Sequence, residues 1–111
     1  MTDSTDSVLV VLCTTPTPEV GAELGRGLVE QKLAACVNVI PGLRSIYSWQ
    51  GETKDDAECQ LLIKTRRSRF EAVARWIRDH HPYSEPEILG LPVVTGSPSY
   101  LAWVAEQTAE R

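Results

Sequence analysis

Val8 to Cys13 reads VLVVLC, an unbroken aliphatic run with no polar alternation. A segment that is apolar on both faces has the pattern of a central strand covered on both sides. TTPTPE follows, placing Thr17 as an N-cap and Pro18 as the first helical residue, and Val20, Leu24 and Leu28 then recur at four-residue spacing along one stripe. The pattern predicts a helix ending near Gln31. Gly21, Gly25 and Gly27 lie inside it, each costing roughly 1 kcal/mol relative to Ala, which predicts close packing of this helix on the sheet. GAELGRG matches neither the P-loop nor the dinucleotide fingerprint.

Ala34 to Gly51 is strand-like, broken at Pro41-Gly42 by a bulge or turn. Its second piece puts Tyr47 and Trp49 on one face and Ile46 and Ser48 on the other. GETKDDAE is expected to be a polar loop, and CQLLIKT, Cys59 to Thr65, to return as the second arm of a long hairpin. In that arm Cys59, Leu61 and Ile63 share one face, and Gln60, Leu62 and Lys64 the other. Phe70, Val73, Ala74 and Ile77 give the spacing of a second amphipathic helix, which should end near His80 because Pro82 disfavours helical geometry at His81. Glu87 to Val94, interrupted by Pro92, reads as a fourth strand. Ser97 and Pro98 should start a last helix with Leu101, Val104 and Ala105 as its stripe.

The order β-α-β-β-α-β followed by α predicts an α+β chain, a ferredoxin-like split βαβ sandwich with an antiparallel sheet and an extra C-terminal helix. Residues 8–111 form one domain, and residues 1–7 are expected to be a disordered N-terminal tail. In this topology the two main helices cover one sheet face only. Large apolar side chains supplied to the other face need a partner, most simply another copy of the chain.

A length of 111 residues fits one domain with a single core. The formal net charge of -4 gives no general attraction to nucleic acid or to an anionic membrane. No apolar stretch is long enough to span a bilayer, and MTDSTDS lacks the basic start and apolar run of a signal peptide. Cys13, Cys36 and Cys59 are odd in number and widely spaced, fitting neither a disulfide framework nor a CxxC zinc motif. These features predict a cytoplasmic protein.

Chemistry concentrates in HHPYSEPEI, His80 to Ile88. Cys13 ends the first predicted strand just before a helix N-terminus, whose dipole favours thiolate. Cys36 and Cys59 read as small hydrophobes within strands. One imidazole of His80 and His81 with Cys13, completed by Glu87 or water, would suit copper or zinc, whose preferred ligands are thiolate and imidazole. Adjacent histidines point apart, so one metal would rarely take both. The competing structural readings are a buried strand-end cysteine and histidines favoured at a helix C-terminus. The arginines of the second helix read as a solvated face. Glu85 and Glu87 could be an acid–base pair, or merely polar edge residues.

CTTPTPE, KLAACVNVIPGLRSIYSWQGE, CQLLIKT, HHPYSEPEILGLPV and SYLAWV together resemble the CutA family of divalent-cation-tolerance proteins, over Val8 to Val104. The resemblance implies a ferredoxin-like protomer whose hairpins pair between subunits in a tight homotrimer, similar in architecture to nitrogen-regulatory signalling trimers. It implies binding of copper or another divalent cation at Cys13, His80 and His81, with Glu87 nearby. It also implies a polar cavity between subunits, to which Tyr47, Trp49, Lys64, Tyr83 and Glu87 match.

Two readings of function share this fold: a trimeric metal-responsive protein using Cys13 and the histidines, and a small-molecule sensor or signalling trimer using the inter-subunit pocket. A cysteine-based enzyme with a histidine base ranks last, because no third residue is in view to orient the imidazole. The expectation is therefore a binding protein rather than an enzyme.

Overall fold

In the computed structural model, which describes residues 6–110, the all-apolar run forms the interior strand β1 (Val8–Thr15). Helix α1 (Pro18–Glu30) follows, then the hairpin β2 (Cys36–Trp49) and β3 (Glu52–Arg66), helix α2 (Phe70–His80), the short β4 (Leu89–Pro92) and helix α3 (Pro98–Gln107). The sheet order is β2-β3-β1-β4, and every neighbouring pair is antiparallel. This is the expected α+β, ferredoxin-like arrangement, with β1 inside and β4 at an edge.

Local chemistry sets the ends of α1. Thr17 Oγ1 accepts a hydrogen bond from the Val20 N–H at 3.1 Å, satisfying one of the free donors of the first turn, and Pro18 sits where no donor is needed. Ser97 also occupies an N-cap position, before α3, but makes no side-chain cap bond; its hydroxyl meets that of Ser99 instead.

The core lies between the sheet and α1 and α2. Val11 and Cys13 of β1, Leu61 and Ile63 of β3, Leu28 of α1 and Val73 and Ile77 of α2 are completely buried there. Each such aliphatic side chain contributes about 1.5–3 kcal/mol on leaving water. The α1 glycines allow the close approach expected of them: a Cβ on Gly25 would stand 2.9 Å from Cγ1 of Val37, and one on Gly27 would collide with the Trp76 ring of α2.

On the opposite face, α3 covers one end, where Val8, Ala35 and Val104 form a small second cluster. The remainder is open. Register places Val10, Leu12, Leu62, Ile40, Leu89 and Leu91 on this side, and Ile40, Leu89 and Leu91 are each exposed.

Several boundaries differ from expectation. GETKDDAE is strand rather than loop: β3 begins at Glu52, joined to β2 by a two-residue turn at Gln50-Gly51 with both φ values positive (51° and 82°), as a tight hairpin requires. The polar composition misleads because this arm has no core beneath it and is held by cross-strand pairs, including a bidentate Arg44–Asp55 ion pair and a Tyr47–Asp56 hydrogen bond. The break at Pro41-Gly42 is a bulge. Ile40 pairs with Gln60 and Leu43 with Glu58, leaving one extra residue in β2.

β4 is shorter than Glu87 to Val94 and ends at Pro92, which has no N–H for the ladder. Of the tail expected over residues 1–7, residues 1–5 lie outside the described residues. Asp6 and Ser7 are fixed: the Asp6 carboxylate accepts from Arg66 and from the Ser68 N–H, and the Ser7 carbonyl accepts from Arg67 N–H.

Candidate functional site

The segment from His80 to Ile88 leaves the C-terminal end of α2 and crosses the end of β1 before entering β4. Its two histidines diverge at once. His80 is exposed, stacks on Trp76 with ring centroids 3.9 Å apart, and donates from Nδ1 to the Trp76 carbonyl at 2.8 Å. That bond closes a free carbonyl of the last turn and leaves Nε2 as the unprotonated nitrogen of the neutral ring.

His81 is buried. Its Nε2 lies 2.7 Å from the Thr14 carbonyl, to which it can only donate, and its Nδ1 accepts from the Tyr83 N–H at 3.0 Å. Both nitrogens are thus committed, and the ring is the neutral tautomer protonated at Nε2.

Cys13 departs from the expectation that a helix dipole favours its thiolate. β1 continues two residues beyond it, and its side chain is fully buried on the core face against the helices. Burial pushes the thiol up to about 12, and the nearby charges of Glu87 and Glu58 push in the same direction. It is a protonated core residue in this environment. The thiols of all three cysteines are free.

Beside this segment lies a cleft of about 560 Å³, lined on one side by Tyr47 and Trp49 of the hairpin arm and on the other by Tyr83, Ser84, Glu85 and Glu87, with Thr14 and Glu58 between them. Glu58 is buried and accepts from the Tyr83 hydroxyl at 2.5 Å. Desolvation raises the Tyr83 phenol well above the usual tyrosine range, and its hydrogen bond to Glu58 and that charge add to the shift. Burial also raises the Glu87 carboxyl and Glu58 repels its charge, while the nearby Gln60 amide works the other way. Glu87 Oε1 is shielded from water without a hydrogen-bond partner.

The expected pocket residues Tyr47, Trp49, Tyr83 and Glu87 therefore come together. Lys64 does not join them: it shares the open sheet face with Glu58 but lies six residues further along β3, level with Val10 and Cys36, and donates to Asn38. The cleft lining accordingly contains three carboxylates and no cationic side chain. Glu58 and Thr14 are additions that sequence reasoning misses. Glu58 falls in the stretch read as loop, although its two-residue offset from Gln60 places both on one face of a continuous strand.

The expected metal set, Cys13 with His80, His81 and Glu87, does not fit a common ion within the protomer. Cys13 is fully buried on the core face, both nitrogens of His81 are hydrogen-bonded, and the exposed His80 ring is held against Trp76. Among the described residues, no group of three or more His, Cys, Asp or Glu side chains is disposed to hold a metal ion. His80 alone offers an exposed imidazole with a free Nε2. Its other nitrogen is anchored by a carbonyl, as is usual for metal-ligating histidines.

Residues 9–107 match the family model described as "CutA1 divalent ion tolerance protein". The chain is 48% identical over 99 residues to the divalent-cation tolerance protein CutA of Thermus thermophilus, an overlap covering 89% of this chain and 96% of that protein. It is 45% identical over 104 residues to a CutA homolog of Xenopus laevis, covering 94% of this chain and 69% of the other. Among solved structures, the Thermus thermophilus protein superposes with a TM-score of 0.90 at 46% identity, covering 92% of this chain and 99% of that one. CutA from Xylella fastidiosa gives 0.90 at 36% identity, with 93% and 99% covered. With the family model matched over nearly its whole length and these identities and superpositions beside it, the chain belongs to the CutA1 divalent ion tolerance family.

Proposed function

We propose that the protein serves divalent-cation tolerance as a homotrimeric binding protein of the cytoplasm, and that the acidic, aromatic cleft is its principal ligand site. The observation that carries the cleft reading is Glu87, whose carboxylate has one oxygen shielded from water without a partner while the lining offers it no cation. A buried acceptor left unpaired is costly, so a bound group that supplies the missing donor gains by it.

Assembly is supported by the open sheet face and by Trp49 and Tyr47 on an arm that has no core of its own. Exposed apolar area of this extent, beside long unpaired strand edges, favours association. Copies packed through the hairpins would cover the face and wall the cleft from a second side. An enzymatic role for Cys13 has little support, since its thiol is protonated and buried and neither histidine is hydrogen-bonded to it.

A second reading, in which copper or another divalent cation binds directly, is favoured by one feature, the exposed Nε2 of His80. On this reading His80 supplies the imidazole and Cys13 supplies nothing. Light scattering at micromolar concentration tests the trimer, and a monomer mass would overturn it. Thermal-shift measurements with a panel of small cationic and neutral metabolites, beside Cu2+ and Zn2+ titrations of the metal-free protein, separate the two ligands. Stabilisation by metal that His80→Ala removes would move the weight to the second reading.

A further inference from the structure

We infer that His81 is the positioning residue that shapes the cleft, and that it is not a metal ligand, although it sits beside His80 in the segment expected to bind metal. It is a two-sided latch. Nε2–H donates to the carbonyl of Thr14, 67 positions away near the end of β1, while Nδ1 receives the Tyr83 N–H two residues on. The first bond docks the segment that follows α2 onto the sheet. The second turns the backbone at Tyr83 so that the phenol reaches Glu58, and ring packing between His81 and Tyr83, with centroids 4.7 Å apart, holds the same arrangement.

The chain of contacts runs from Thr14 through His81 and Tyr83 to Glu58, and both of its ends line the cleft. A soft cation could take His81 only by displacing the Nε2 proton from Thr14 or the Tyr83 N–H from Nδ1. Either exchange leaves a backbone group unpaired beside a buried ring and releases the Tyr83 phenol from Glu58. Coordination and an intact cleft are mutually exclusive at this imidazole. His80, by contrast, can bind a cation without disturbing any of these bonds.

The full-length protein tests this with two substitutions and two readouts. His81→Phe keeps a ring of similar shape but removes both hydrogen bonds, whereas His81→Gln restores one donor and one acceptor but is a poor ligand for zinc. Amide hydrogen exchange at Tyr83 should rise about tenfold or more in His81→Phe and return towards the parent rate in His81→Gln, since a lost hydrogen bond of this kind is worth a change of that order. Zn2+ affinity, measured by calorimetry with the metal alone, should be unchanged in both variants and lost in His80→Ala. Loss of Zn2+ binding in His81→Gln, with Tyr83 protection retained, would overturn the inference. So would parent-like exchange in His81→Phe. If His81→Phe does not fold, His81→Gln decides by itself, and if the parent binds no Zn2+ the exchange measurements still judge the latch.

Discussion

The Tyr83 hydroxyl donates to Oε2 of Glu58 at 2.5 Å, joining the segment after α2 to a buried carboxylate on the hairpin. A charge-assisted bond to a group this poorly hydrated is worth more than an ordinary hydrogen bond. Tyr83→Phe should therefore lower unfolding free energy by about 1–3 kcal/mol in urea titrations, because Glu58 keeps its desolvation and loses its donor. An unchanged midpoint would mean that water replaces the phenol without loss.

Glu87 should make stability depend on pH in the sense opposite to a salt-bridged carboxylate. Burial and the charge of Glu58 raise its folded value above the unfolded one. Between the two values the folded protein binds more protons, so stability falls as pH rises through the folded value and the penalty persists at neutral pH. Glu87→Gln should raise the melting temperature at pH 7. That gain should fade as the pH is taken below about 4, where the carboxyl is protonated in both states. A gain that does not depend on pH would assign the effect to packing.

Cys13 should resist alkylation in the native state, since the thiolate is the reactive form and burial holds this group protonated. Under non-denaturing conditions Cys36, which is only partly buried, should label first, with Cys13 and Cys59 following on unfolding. Mass spectrometry of labelled peptides gives the order. Fast native labelling of Cys13 would restore it as a candidate nucleophile or ligand.

Gly25→Ala should destabilise the protein even though it improves helix propensity. The propensity gain is about 1 kcal/mol, whereas forcing a methyl to within 2.9 Å of Val37 costs about 1–3 kcal/mol of strain unless β2 yields. Thermal unfolding measures the sign. A higher melting temperature would show that Val37 moves aside easily.

Trp49→Ala should weaken assembly more than Trp103→Ala. Both rings are partly exposed in the protomer, but Trp49 lies at the end of the hairpin arm, while Trp103 sits at a tilt beside Tyr100 on α3. Truncating an aromatic at the centre of an interface commonly costs about 2 kcal/mol or more. Sedimentation across a dilution series compares them, and equal dissociation would count against packing through the arm.

Much of the fold is legible along the chain because its signals are local. Thr17-Pro18 marks the start of α1, Pro82 the end of α2, and the alternation from Cys59 to Lys64 the two faces of β3. The outer hairpin is not, because sequence patterns reveal strands by the core they bury, and Glu52 to Ala57 buries none within the protomer. The same gap hides Glu58.

At the site, adjacency already says that His80 and His81 must point apart. It cannot say which turns inward, because that is decided by the carbonyl of Thr14, brought beneath the segment only when β1 takes its place inside the sheet. Cys13 misleads for a related reason. Proximity in sequence to a helix N-terminus suggests an activated thiol, but two more residues of strand and a position on the core side give burial the larger effect.

The single extra residue at Pro41-Gly42 sets the parity of everything beyond it. Before the bulge, even-numbered side chains of β2 such as Asn38 and Ile40 share a side with Leu62 and Gln60; after it, odd-numbered Leu43, Ser45, Tyr47 and Trp49 share a side with Glu58. In an unbulged strand, Ile46 and Ser48 would hold that side and both aromatic rings would turn away. The rings beside the cleft are thus selected by one peptide unit near the base of the hairpin, and a one-residue deletion there should invert the arm while leaving its tip sequence untouched.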